Sequence, residues 1–176
     1  MYKRILIAAL ALTVAYGCSS GVKREPIAQQ TKPASTQAVD KLSSVSISLT
    51  EEAKGKVADN LKFDKEELLS HVKRALDAHA MLLSEPHESA PGMEIEVKDF
   101  RVRTNFSAVM WGFMAGSDSI TGDVVLKDSL GGEVDRFEVS VSYALGGLAG
   151  GQDGTRMSWL YEKFAEETLK ELNGKK

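Results

Sequence analysis

Three runs of alternating apolar residues follow one another between residues 93 and 143, and a one-sided helical stripe lies on either side of them. Side chains alternate between the two faces of a strand, so such a run buries one face and leaves the other to water. The first run, Met93 to Thr104, alternates through Ile95 and Val97 and then changes phase to Phe100 and Val102, which predicts a β-bulge near Asp99. The second, about 119–128, has Ile120, Val124 and Leu126 in one phase; the third, about 133–143, has Phe137, Val139, Val141 and Tyr143. Ser129 to Gly132 joins the last two as a short hairpin loop. Upstream, Val45, Ile47 and Leu49 alternate with serines and read as a further strand. Asp64, three residues before Glu67, starts a helix to about Leu83, with its apolar stripe on Leu68, Leu69, Val72, Ala75, Leu76, His79 and Leu83. From Glu51 to Lys62 the chain reads as a link of a helical turn or two, weakened by Gly55. A closing helix, about 155–172, has its stripe on Met157, Leu160, Tyr161, Phe164, Ala165, Leu169 and Leu172. Two one-faced helices need a sheet to cover. The expected fold is α+β: a two-layer sandwich in the order β-α-β-β-β-α, with a mainly antiparallel sheet of about four strands covered by two helices.

The N-terminus does not belong to that unit. Lys3 and Arg4 precede eleven uncharged, mostly apolar residues, Ile5 to Ala15, well short of the ~20 that cross a bilayer as a helix. This is the pattern of an export signal. Its end, Ala15-Tyr16-Gly17-Cys18, resembles the lipobox of bacterial lipoprotein precursors, with Ala in place of the usual Leu and Tyr where a smaller residue is common. By that resemblance residues 1–17 are a lipoprotein signal peptide, and Cys18 is acylated and becomes the first residue. Plain secretory cleavage after Gly17 is the alternative, with Cys18 an incidental thiol. Against it, the one cysteine of the chain stands where lipidation needs it. Several acyl chains together anchor a protein where one cannot. Ser19 is not the Asp that marks inner-membrane retention, so the resemblance implies the outer membrane. Without residues 1–17 the chain has 20 basic against 25 acidic side chains, a balance of −5 that gives no electrostatic grip on anionic lipid or nucleic acid. From 18 to 43 the chain is polar, carries Pro26 and Pro33 and lacks a sustained apolar period. It reads as the lipidated cysteine and a disordered tether, with a coil dimension of about 25–30 Å. Residues 44–176 are then a single α+β envelope domain.

Little in that domain points to chemistry. His71 and His79 are eight residues apart, about 80° out of register on a helix, so they do not form a zinc-binding pair. With one cysteine and three histidines, no metal ligand set is expected, and no cofactor. GGLAGGQDG, residues 146–154, lacks the Gly-Lys-Ser/Thr ending of a phosphate loop and reads as a strand-to-helix connector. Asp118, Asp123, Asp128 and Asp135 cluster on the second and third strands, where solvated strand ends and turns are the simpler reading than a paired-acid site. The segment FSAVMWGFMAG, 106–116, fits both a helical face and a strand. Burial against the sheet is the simpler reading. If it is exposed, Phe106, Met110, Trp111, Phe113 and Met114 are the candidate contacts for a partner or ligand.

Residues 93–172 resemble an uncharacterised domain family of bacterial envelope lipoproteins. An Arg-x-Arg strand leads there to an Ala-Gly turn, a strand ending in Asp with Gly soon after, and a third strand before a Gly-rich loop. The matching positions are Arg101, Arg103, Gly112, Ala115, Gly116, Asp118, Gly122, Asp128 and Gly131. The resemblance implies an α+β envelope domain and no catalytic residue. The expectation is a non-catalytic outer-membrane lipoprotein, facing the periplasm, that binds another envelope component, a protein by preference. The alternative is a carrier of a small apolar ligand built on 106–114.

Overall fold

A computed structural model of the chain describes residues 18–24, 41–58, 62–85, 87, 90–103, 116–144 and 153–174. Its elements are β1 (Cys18–Lys23), β2 (Ser44–Leu49), α1 (Glu51–Val57), α2 (Lys65–Ala78), β3 (Gly92–Arg101), β4 (Asp118–Lys127), β5 (Glu133–Tyr143) and α3 (Asp153–Asn173). The strands form one sheet in the order β1-β5-β4-β3-β2. Only β2 and β3 run parallel, joined by a crossover through α1 and α2; the other pairs are antiparallel. This is the expected α+β arrangement with a mainly antiparallel sheet. The phase change foreseen near Asp99 is a register shift between Val97 and Asp99.

Three details differ from the sequence reading. The sheet has five strands, because Cys18–Lys23, read as the start of a tether, forms an edge strand on β5. More than the backbone ladder fixes it: the Ser20 hydroxyl donates to Glu167 Oε1 at 3.0 Å, and Arg24 pairs with Asp135 at 2.7 Å and Glu171 at 2.6 Å. The Arg24 guanidinium also lies 5.1 Å from the Phe137 ring centroid. Residues 25–40 of the expected tether lie outside the described residues. Secondly, α1 is a third helix among the described residues. Thr50 caps it by accepting from Ala53 N at 3.2 Å, and Gly55 sits in open space on its exposed side. Thirdly, α2 ends at Ala78, so His79 is exposed beyond its last turn and not in the core.

The core lies between one sheet face and the helices. Met93, Ile95 and Val97 of β3, Ile120, Val124 and Leu126 of β4, and Phe137, Val139 and Val141 of β5 meet Leu68, Val72 and Leu76 of α2 and Leu160, Tyr161 and Phe164 of α3. Gly122 allows the closest helix approach. A Cβ there would stand 3.4 Å from Phe164 Cζ and 3.1 Å from the Glu96 carbonyl. At its start α2 is capped by Asp64, whose Oδ1 accepts from Glu66 N and Glu67 N at 2.8 and 3.1 Å. The Asp64 N–H donates to the Tyr161 hydroxyl at 2.7 Å, tying α2 to α3. The other sheet face is polar. Lys98 pairs there with Asp123 and Glu138, Lys127 with Glu94, and Arg136 with Glu133 and Asp123.

Candidate functional site

Cys18, Asp118 and Tyr143 share one end of the sheet, since Tyr143 stands opposite Cys18 on one side and Asp118 on the other. The most unusual side chains of the described structure meet there. Asp118 is fully buried, between the side chains of Arg103 and Arg156, each 1% exposed. Its Oδ1 accepts from the Arg103 backbone N–H at 2.7 Å, and its Oδ2 accepts from Arg103 Nη2 and Arg156 Nε, both at 3.0 Å. Arg103 also donates to the carbonyls of Gly116, Tyr143 and Ala144, and Arg156 donates to the carbonyl of Arg103. Charges removed from water persist only with such partners. The cluster therefore joins the chain beyond β3, the start of β4, the end of β5 and the first turn of α3. Buried and held by three donors, the Asp118 carboxylate ties this end of the sheet together.

Gly116 completes the arrangement. Its φ is +84°, and a Cβ would lie 2.7 Å from Arg101 Nη1, so the Arg101 guanidinium rests on the bare backbone of the turn. The spacing Arg-x-Arg followed by Gly-x-Asp thus has a physical reason: Arg101 covers Gly116, and Arg103 pairs with Asp118.

The four aspartates separate. Asp118 is buried, which corrects the reading of it as a solvated strand end. Asp123 is in the Lys98–Arg136 network. Asp128 shapes the hairpin, its Oδ1 accepting from Leu130 N and Gly132 N at 2.9 and 2.7 Å. Asp135 pairs with Arg24. They do not converge on a cleft. Phe106, Met110, Trp111, Phe113 and Met114 lie outside the described residues, as do the glycines from 146 to 151. Cys18 opens β1 at the Asp118 end of the sheet. Trp159, which sequence reasoning did not single out, is half exposed on α3, with its ring centroid 5.8 Å from that of Tyr143.

Elsewhere, an open groove of about 220 Å³ between β1 and α3 is lined by Ser20, Gly21, Val22, Glu167, Lys170 and Glu171. Burial alone would push the Glu167 carboxyl up, but Lys163 and the Ser20 hydroxyl hold it, on balance, below its ordinary value. Burial pushes the Tyr161 hydroxyl up. Among the described residues, no group of three or more His, Cys, Asp or Glu side chains could hold a metal ion, and no helix is long and apolar enough to cross a membrane.

The sequence profile of a family described as a domain of unknown function, DUF4410, matches residues 27–147. The chain belongs to the DUF4410 family. Of the residues at the sheet end, Arg101, Arg103, Gly116, Asp118 and Tyr143 fall within the DUF4410 match, and Cys18, Arg156 and Trp159 fall outside it. No curated protein matches the chain in sequence. Among solved structures it is similar to a PelC dodecamer from Paraburkholderia phytofirmans, with 12% identity and a TM-score of 0.43 over 84% of this chain and 94% of that one. It is also similar to a minor lipoprotein from Acinetobacter baumannii, with 15% identity and a TM-score of 0.37 over 75% of this chain and 94% of that one. Likeness at this level carries no functional argument.

Proposed function

We propose that this chain is a lipid-anchored protein of the outer membrane, held by acyl chains on Cys18, and that its α+β domain binds another envelope protein, from the periplasmic side, without catalysis. One observation carries the reading: the only cysteine closes an export signal at the lipobox position. The non-catalytic part is supported by Asp118, the most buried acid among the described residues, being held by three donors, and by Asp123 and Asp135 being engaged in ion pairs. The carrier alternative gains nothing from the groove beside β1, which is smaller than the roughly 300–1,000 Å³ of ordinary ligand sites and lined mainly by polar side chains. Two measurements test the proposal. Cys18→Ser should move the chain from the membrane to the soluble fraction, and crosslinking of the wild-type chain in native envelopes should return one recurrent protein. Equal membrane fractions for both forms, or crosslinks only to a shifting background, would count against it.

A further inference from the structure

We propose that the sheet end bearing Cys18, Tyr143 and Trp159 lies flat on the bilayer, with Trp159 in the lipid interface. This rests on the acylation of Cys18 proposed above and adds an orientation and a contact. Cys18 is not followed by a flexible leash; it is itself in register with Tyr143, and residues facing each other across antiparallel strands stand only about 5 Å apart at Cα. Acyl chains on Cys18 therefore bring Tyr143 to the membrane surface with them. Lateral freedom is limited by the Ser20–Glu167 bond and by Arg24, paired with Asp135 and Glu171, which keep β1 on β5 and α3.

The surface placed there suits a lipid interface. Trp159 is 50% exposed and its ring meets that of Tyr143. Large aromatic rings with a polar edge concentrate at the boundary between headgroups and acyl chains. The other large exposed apolar side chains among the described residues, Leu130 and Val134, belong to the β4–β5 hairpin and the adjoining start of β5, at the opposite end of the sheet. The net charge of the chain after Gly17 is negative, so a basic patch does not orient the domain; the anchor position and the aromatic pair do.

The test uses the acylated full chain in phosphatidylcholine vesicles, with and without brominated acyl chains. Trp111→Phe leaves Trp159 as the only tryptophan. Its emission should be blue-shifted on binding and quenched by the brominated lipid. A ten-residue Ser/Gly spacer between Cys18 and Ser19, with a coil dimension of about 17 Å, should relieve the quenching. If Trp111→Phe lowers the yield of folded chain, comparing wild type with Trp159→Phe isolates the same signal. The mass of the N-terminal peptide is read on the same preparation. An acylated, vesicle-bound chain with equal emission in both lipids overturns the orientation alone, and quenching untouched by the spacer overturns its origin in β1. A chain without acyl groups removes the anchor and the orientation together.

Discussion

Replacing Asp118 by Asn keeps the shape of the side chain and removes its charge, leaving two guanidiniums at 1% exposure with no carboxylate between them. The Asn carbonyl oxygen, placed where Oδ2 stands, can still accept from Arg103 Nη2 and Arg156 Nε, but its NH2 group then turns a donor toward the Arg103 backbone N–H, and no negative charge faces the two guanidiniums. Breaking a buried ion pair by neutralising one partner costs about 3–5 kcal/mol, a large part of the roughly 5–15 kcal/mol that holds a domain folded. With a urea slope of about 2 kcal/mol per M, the unfolding midpoint should fall by roughly 2 M. Equilibrium unfolding followed by circular dichroism measures it, with Asp77→Asn, on the exposed side of α2, as a control that should leave the midpoint in place. The same change made on an Arg156→Met background should cost less, since one of the two stranded charges is gone. A loss under about 1 kcal/mol, or strict additivity with Arg156→Met, would refute the claim that this cluster ties the sheet end together.

Two further outcomes follow from named positions. Gly116 and Gly131 have φ of +84° and +81°, so Gly116→Ala and Gly131→Ala should each lower stability by about 1–2 kcal/mol. Gly21→Ala, in open space on β1 with no positive φ, should be neutral; thermal melts of the three variants compare them. Stability should also fall with acidification in two stages. Burial, and then Arg74, hold the His71 ring below its ordinary value, so the unfolded chain takes up a proton first and stability drops as the pH falls below about 6.5. Glu133, held down by Arg136, and Glu167, held down by Lys163 and Ser20 against its burial, contribute stability above their unfolded range that is lost as the pH falls further, through their lowered folded values. Urea midpoints between about pH 8 and about pH 2 should show both stages, the second below the ordinary Glu value of about 4.3, and His71→Gln should remove the first.

Elements whose burial is one-sided and apolar were legible: β2 to β5 from their alternation, the bulge from the change of phase after Val97, and α2 and α3 from their stripes. Elements held by polar contacts were not. β1 carries a single large aliphatic residue, Val22, and its Ser20 is exposed and bonded to Glu167 of α3, so nothing in CSSGVK alternates by hydropathy. α1 is a short helix fixed by its Thr50 cap and by Lys56 pairing with Glu52 and Asp99, against the bias of Gly55. The ion cluster was misread because a charged residue in a strand ordinarily means water. Two signals could have found it. Asp118 is in phase with buried Ile120, Val124 and Leu126, and Arg156 stands one and two helical repeats before Leu160 and Phe164 on the apolar stripe of α3. An acid and a base that both occupy core positions are candidates for each other.

The functional account depends most on the fate of Cys18, and the mass of the N-terminal peptide of the chain extracted from membranes decides it. The account predicts a peptide that begins at Cys18 and carries a thioether-linked diacylglycerol. A peptide that begins upstream of Cys18, or one that begins at Cys18 with a free thiol and an unmodified amine, would contradict it.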